Sequence, residues 1–104
     1  LVAGCTGGES GLEGELLFGD KPLAGASVEI YLKAEKDRST LPFATASTDA
    51  QGRYRINLPT GRYFIIGKKK LNEDGRIRML MAESPANPIE VADRMRAVAP
   101  FTLR

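Results

Sequence analysis

Short apolar segments, each ended by a turn, constrain the fold of this chain more than any other feature. The alternation is cleanest in residues 26–33, where Val28, Ile30 and Leu32 fall on one face and Glu29, Tyr31 and Lys33 fall on the other. Further segments of this kind follow at intervals of roughly 8 to 12 residues, separated by Gly, Pro, Asp and Asn. No segment keeps a helical period over several turns, and residues 92–99 allow one helical turn at most. The pattern predicts an all-β protein.

The predicted strands are short and fill most of the chain. They span residues 11–18, 26–33, 43–48, 53–58, 62–70, 76–82, 89–91 and 98–103. Each would turn one face to a core and the other to water, and seven or eight such strands in a chain of 104 residues predict a β-sandwich. We expect residues 11–104 to form this single domain and residues 1–10 to precede it as a short N-terminal motif followed by a flexible tether.

The composition argues against several kinds of catalytic and binding site. The chain has no histidine, which is the commonest general base near neutral pH and the commonest metal ligand. With a single cysteine, it can form neither an intrachain disulfide nor a thiolate metal cluster. A formal net charge of +2 is too small to predict nucleic-acid binding. We therefore expect no catalytic residues, no metal, no cofactor and no nucleic-acid partner.

The cysteine lies in a short motif at the start of the sequence. Leu1-Val2-Ala3-Gly4-Cys5 resembles the bacterial lipobox, in which the cysteine thiol receives a diacylglyceryl group and the chain is cleaved before it. The Gly-rich stretch 6–11 that follows has the composition of a tether. The alternative is an ordinary tail with a free thiol. The resemblance implies lipidation at Cys5 and, because Thr6 follows instead of Asp, sorting to the outer membrane, facing the periplasm or the exterior.

Three motifs in the body of the chain occur in an order typical of one family. They are Pro22-Leu23-Ala24-Gly25-Ala26-Ser27-Val28, Thr48-Asp49-Ala50-Gln51-Gly52-Arg53-Tyr54 and Leu58-Pro59-Thr60-Gly61-Arg62-Tyr63, with Phe101-Thr102-Leu103 closing the domain. Together they resemble the carboxypeptidase regulatory-like domain. That resemblance implies a seven-stranded antiparallel Greek-key sandwich of the prealbumin (transthyretin) type, and it leaves the function open because such sandwiches serve many tasks.

The residue types in these motifs have structural explanations of their own. Asp49 can accept hydrogen bonds from backbone amides two positions along the chain and so stabilise its turn. Tyr63 can bury its ring while its hydroxyl reaches a backbone group, as in the tyrosine corner of other sandwiches. Asp49–Gly52 and Asn72–Gly75 also offer oxygen ligands, but neither has the spacing of a calcium-binding loop.

The clearest candidate for a binding surface is the hairpin predicted around residues 72–75. It would bring together the basic residues Lys68, Lys69, Lys70, Arg76 and Arg78. Such a cluster suits phosphate groups, lipid headgroups or an acidic partner, but lysines also protect sheet edges from aggregation.

Apolar residues on the same hairpin raise a further question. Met79, Leu80 and Met81 are consecutive on a strand and must point to both faces, and Phe64 and Ile66 lie on the outward face of the neighbouring strand. Either residues 72–88 fold back over that face, or an apolar patch is exposed to a partner.

Two functions of different kinds remain open. The first is a non-catalytic cell-envelope lipoprotein module that binds or scaffolds an envelope protein through Phe64, Ile66 and the basic hairpin. The second is a carbohydrate-binding module of similar sandwich fold, in which Tyr31 is expected to be exposed; the absence of tryptophan argues against it. No pair of residues suits a catalytic nucleophile and base, so we expect a protein that is not an enzyme.

Overall fold

The computed structural model describes residues 10–33 and 41–104, so Cys5 and the tether before Ser10 lie outside the described residues. The described ranges contain ten strands and no helix, and therefore no helix that could cross a membrane. The strands are β1 (Gly11–Phe18), β2 (Lys21–Pro22), β3 (Ser27–Tyr31), β4 (Ala44–Ser47), β5 (Arg53–Asn57), β6 (Gly61–Glu73), β7 (Arg76–Glu83), β8 (Ile89–Val91), β9 (Met95–Ala97) and β10 (Phe101–Thr102). The all-β prediction is confirmed.

The first sheet is built around β1, to which the four other strands all pair. On one side, β5 pairs with Gly11–Glu15 and β2 pairs with Leu17 and Phe18, both antiparallel. On the other side, β9 pairs with the first three residues of β1 and β10 pairs near its end, both parallel. One strand of eight residues thus holds the whole sheet together.

The second sheet has the order β4, β3, β6, β7, with β8 also paired to β6. Its longest strand, β6, spans 13 residues and forms a regular antiparallel hairpin with β7. Asp74 and Gly75 make the two-residue turn, and both have positive φ, at 52° and 80°. Two positive φ values give the turn the twist that matches the flanking strands, as in type I′ hairpins.

Between the two sheets lies a single apolar core. Leu12 and Leu16 of β1 are fully buried, as are Ile30 of β3 and Leu80 of β7. At Gly67 of β6, two leucine side chains pack directly against the backbone. A Cβ there would lie 2.9 Å from Leu103 Cδ1 and 3.0 Å from Leu16 Cδ1. The missing side chain therefore makes room for two leucines to pack between the sheets.

The turn chemistry expected from the motifs is confirmed. Asp49 Oδ1 accepts hydrogen bonds from the backbone N–H groups of Gln51 and Arg53, each at 2.9 Å. The Tyr63 hydroxyl donates to the Pro59 carbonyl at 2.6 Å while its ring is 2% exposed. Both residues keep a turn closed at a corner of the fold.

An asparagine side chain joins β7 to β8 along β6. Asn87 Oδ1 accepts a hydrogen bond from the Ile65 N–H, and Asn87 Nδ2 donates to the Ile65 carbonyl, each at 3.0 Å. Ser84 N–H also donates to that carbonyl at 3.0 Å. The side-chain amide thus supplies the donor and acceptor that a strand residue would provide, and β6 remains paired across the break between its two neighbours.

Several details differ from the sequence prediction. The described residues form ten strands instead of seven, and β1 pairs in parallel with β9 and β10, so the sheets are not purely antiparallel. β2 and β9 are too short, at two and three residues, for alternation to reveal them, and β9 replaces the helical turn allowed there. Leu32, predicted to point inward, is 53% exposed because β3 ends at Tyr31.

Candidate functional site

A groove of about 430 Å³ opens beside β1 in the first sheet. The last residue of β1 that pairs with β9 is Glu13, and the first that pairs with β10 is Leu16. The groove lies at the gap between these two pairings. The gap between these two short strands leaves the middle of β1 accessible. The lining residues are Glu13, Gly14, Glu15, Asp49, Arg53, Tyr54, Arg55, Ala97, Val98 and Pro100.

The register of β1 and β5 arranges the charged side chains of the groove in two rungs. Glu13 is opposite Arg55 and Glu15 is opposite Arg53 in the antiparallel ladder. Alternate residues of a strand share a face, so the two carboxylates and the two guanidinium groups lie on the same side of the sheet. Glu13 Oε1 and Arg55 Nη1 are 4.0 Å apart, which is a loose ion pair between half-exposed side chains.

Tyr54 is among the lining residues, and its hydroxyl is buried without a protein partner in the described structure. The residue is only 4% exposed, and its hydroxyl makes no hydrogen bond within the described structure. Burial raises the pKa of this hydroxyl, so it stays protonated throughout the neutral range. A buried hydroxyl without a partner is costly and uncommon. Tyr54 belongs to the apolar core, on the face of β5 opposite the two charged rungs.

Gly14 makes this placement of Tyr54 possible. Gly14 is paired with Tyr54 across β1 and β5, and a Cβ on Gly14 would lie 2.7 Å from the Tyr54 hydroxyl oxygen. The same Cβ would be 3.1 Å from the Val98 carbonyl oxygen. Any larger residue at position 14 would displace the tyrosine ring. The glycine therefore leaves room for the Tyr54 hydroxyl.

The groove offers hydrogen-bonding chemistry to a polar ligand. Carboxylates accept hydrogen bonds from hydroxyl groups, and guanidinium groups donate to ligand oxygens in pairs. In the described ranges, no group of three or more Asp, Glu, His or Cys side chains is placed to hold a metal ion. The arrangement suits recognition of a hydroxyl-rich molecule.

The surface predicted from the sequence lies on the β6–β7 hairpin, away from this groove. Its members Phe64, Ile66, Lys68, Lys69 and Lys70 are on β6, and Arg76 and Arg78 are on β7. Ile66 is 4% exposed and thus does not contribute to an outer surface. Lys68 Nζ pairs with Glu29 Oε1 at 2.8 Å, and Lys69 Nζ donates to the Ala24 carbonyl at 2.9 Å. Two of the three lysines therefore stabilise neighbouring strands and turns.

The prediction of an exposed Tyr31 is wrong. Tyr31 is 6% exposed, and its hydroxyl donates to Glu29 Oε1 at 2.7 Å. The alternation assigns Tyr31 to the outer face of the second sheet, but that face is itself partly covered, as the buried Ile66 on the next strand also shows. A carbohydrate site centred on Tyr31 is therefore ruled out by burial.

Sequence reasoning missed the groove, although two patterns could have revealed it. Glu13 and Glu15 alternate on the first strand, and Arg53 and Arg55 alternate on the strand after the Asp49 turn. Each pair places like charges on one face of its strand, and the opposite signs favour a neighbouring position in one sheet. The register that brings them together comes from the fold and not from local sequence.

Comparison with solved structures shows a related fold at low sequence identity. A candidate carbohydrate binding protein from Pseudomonas aeruginosa superimposes with a TM-score of 0.51, at 15% identity, over 91% of this chain and 88% of the other. A 9R-lipoxygenase from Cyanothece matches with a TM-score of 0.49, at 16% identity, over 91% of this chain and 16% of the enzyme. No protein-family profile and no curated protein sequence matches the chain. The first similarity concerns the fold alone.

Proposed function

We propose that this protein is a non-catalytic carbohydrate-binding module that holds its ligand in the groove beside β1. The observation that carries the proposal is the pair of charged rungs, Glu13 with Arg55 and Glu15 with Arg53, whose residues line the groove. The similarity in fold to a candidate carbohydrate binding protein supports the same class of ligand. Sequence alone favours protein binding at the β6–β7 hairpin, but two of its three consecutive lysines have internal partners.

The groove combines the groups that sugar hydroxyls require. Glu15 and Arg53 provide an acceptor and a donor on adjacent strands, and Asp49 provides another carboxylate at the rim. Sugar rings also have apolar faces, and Val98 and Pro100 supply apolar surface within the same lining. The hydroxyl groups of the ligand would bond to the two charged rungs while its ring contacts these two residues.

The Arg53→Ala substitution tests the proposal. A glycan array identifies the oligosaccharide that the wild-type protein binds, and titration calorimetry with that oligosaccharide measures the dissociation constant. We expect Arg53→Ala to weaken binding about tenfold because the hydrogen bonds from its guanidinium group are lost. The free energy of unfolding should change by less than about 0.5 kcal/mol, since Arg53 is exposed.

Arg62→Ala is the matched control. It makes the same change at an exposed arginine outside the groove, whose Nη2 is 3.4 Å from Glu90 Oε1. We expect it to lower the free energy of unfolding by less than about 1 kcal/mol and to leave the dissociation constant unchanged. The proposal fails if the wild-type protein binds no glycan, or if the two variants lose affinity equally.

We propose in addition that the module is lipid-anchored at Cys5 in a bacterial cell envelope. The lipobox-like residues 1–5 and the Gly-rich stretch 6–11 support this placement. Two acyl chains on one cysteine hold a protein stably at a membrane surface, whereas a single chain does not. The tether would then let the groove reach glycans beyond the membrane.

Metabolic labelling tests the anchor. We expect the protein, expressed from its complete gene in a bacterial host, to incorporate labelled palmitate. We also expect globomycin to block the cleavage of the chain before Cys5. Cys5→Ala should lose both properties, because the thiol is the acceptor of the lipid. Labelling that persists in Cys5→Ala, or a wild-type protein that is never labelled, would refute lipidation at this residue.

We also infer that the fold is a prealbumin-like Greek key of the carboxypeptidase regulatory-like type. The three turn motifs support this inference, because Asp49 and Tyr63 make the backbone hydrogen bonds that such turns need. In this interpretation β2, β9 and β10 are short additions around a smaller set of main strands.

A further inference from the structure

The outer part of the β6–β7 hairpin carries apolar side chains that the rest of the described structure does not cover. Ile77 is 73% exposed, Met79 is 46% exposed and Met81 is 48% exposed. These residues alternate along β7, so their side chains line one face of the hairpin as a continuous stripe. We call Ile77, Met79 and Met81 the β7 stripe.

The backbone of the same strand has an open edge. Met81 N–H donates to the Arg104 carbonyl at 3.0 Å, and Arg104 N–H donates to the Met81 carbonyl at 3.5 Å, so the polar groups of Met81 point away from β6. Because alternate residues of a strand direct these groups to the same side, the N–H and C=O groups of Met79 and Ile77 also point away from β6. No strand in the described part of the chain pairs with them.

We propose that this edge of β7 binds an extended segment of a partner protein in which apolar and acidic residues alternate. The segment would add a strand to the second sheet, hydrogen-bonding to the backbone of Ile77 and Met79. Strand addition at an open edge obtains affinity from main-chain hydrogen bonds and specificity from the alternating side chains. The proposal does not depend on the carbohydrate groove, which is in the other sheet.

The charges on β7 select an acidic partner. Arg76 and Arg78 alternate with the β7 stripe and therefore lie on the opposite face of the strand. Arg78 Nη1 is 3.9 Å from Glu73 Oε1, but both side chains are 58% exposed, and exposed ion pairs of this kind contribute little to stability. A carboxylate on the incoming strand directly opposite Arg78 would gain a cross-strand pair. Apolar residues on either side of it would cover Ile77 and Met79.

A second copy of this chain is a poor occupant of the edge. Two copies related by a twofold axis can hydrogen-bond through the backbone groups of both Ile77 and Met79 only if Ile77 of one copy faces Met79 of the other. That register puts Arg78 directly opposite Arg78 of the second copy, and like charges at directly opposite positions destabilise a strand pair. The edge therefore disfavours self-association in the arrangement that would satisfy its hydrogen bonds and favours a partner with acidic residues.

The probes for this site are two blocked, fluorescein-labelled octapeptides, one alternating glutamate with valine and the other alternating lysine with valine. Fluorescence anisotropy measures their binding to the wild-type protein and to Arg78→Glu. We expect the glutamate peptide to bind the wild type and to bind Arg78→Glu about tenfold more weakly, since the charge pair becomes a repulsion. The lysine peptide should show the reverse preference.

Two further variants separate the edge from general charge. Met79→Pro removes an N–H group that points away from β6, so the hairpin keeps its ladder while the edge loses a donor, and peptide binding should disappear. Arg94→Glu makes the same charge change as Arg78→Glu outside β7 and should bind the glutamate peptide like the wild type. Circular dichroism checks that each variant is folded.

The proposal is overturned if the wild type binds neither peptide, if it binds both equally, or if Arg94→Glu weakens binding as much as Arg78→Glu. Sedimentation showing a wild-type dimer that Met79→Pro dissociates would also overturn it, because a second copy would then occupy the edge.

Discussion

Replacing Gly52 by alanine is expected to lower the free energy of unfolding by about 3 to 5 kcal/mol, at the upper end of single-substitution effects. Gly52 has φ of +74°, and a Cβ there would lie 2.8 Å from both the Leu16 carbonyl oxygen and the Leu23 nitrogen. Both contacts are with backbone atoms, which cannot move without breaking the hydrogen bond of 2.9 Å from Leu23 N–H to the Leu16 carbonyl. Urea denaturation followed by fluorescence or circular dichroism measures the loss.

Gly19→Ala provides the matched control for this prediction. Gly19 also has a positive φ, at +65°, but a Cβ there would meet nothing within 4 Å. The substitution should therefore cost only the conformational penalty of a left-handed residue, about 1 kcal/mol. Equal losses for Gly19→Ala and Gly52→Ala would mean that the contacts around Gly52 do not limit the fold.

The second large effect is expected for Thr48→Val. Thr48 is 6% exposed, and its hydroxyl donates to the Leu23 carbonyl at 2.6 Å while accepting from the Ala26 N–H at 2.8 Å. Valine has nearly the same shape but cannot make either bond, so two buried backbone groups lose their partner. We expect a loss of about 2 to 3 kcal/mol in the free energy of unfolding, measured by urea denaturation.

Thr48→Ser separates the hydroxyl from the volume of the side chain. Serine keeps the oxygen and loses one methyl group, so the expected loss is about 1 kcal/mol. If Thr48→Ser is as destabilising as Thr48→Val, packing of the methyl group and not the pair of hydrogen bonds holds the turn formed by residues 23–26. Neither variant touches the groove or the β7 edge, so both should retain their binding properties.

The parts of the fold that local sequence determines were predictable. The alternation of Val28 and Ile30 locates β3, and the residues between Asp49 and Gly52 locate a turn whose hydrogen bonds the structure contains. Pairings between distant segments were not predictable in the same way. The parallel pairing of β10 with β1 depends on how the whole chain of 104 residues folds back to its first strand. β10 has only two residues, which is too short to show an alternation of apolar and polar residues.

The candidate groove could not be predicted from the sequence for a related reason. Glu13 and Arg53 are distant in sequence, and only the β1–β5 register makes them part of one surface. The unpartnered Tyr54 hydroxyl is a property of three-dimensional surroundings that a tyrosine on an inward face does not reveal. Conversely, the basic run at Lys68–Lys70 is obvious in the sequence, yet two of its side chains have internal partners.

The central position of β1 has a consequence for how the protein folds. β1 is the first strand of the described chain, and its partners include the last strand, with Leu16 aligned to Phe101. Such distant pairings give a high contact order, for which folding times on the order of milliseconds to seconds are usual. During synthesis, the earliest strand must wait for the final residues before its sheet can close. A nascent chain of this kind gains most from a chaperone that shields one hydrophobic strand until translation ends.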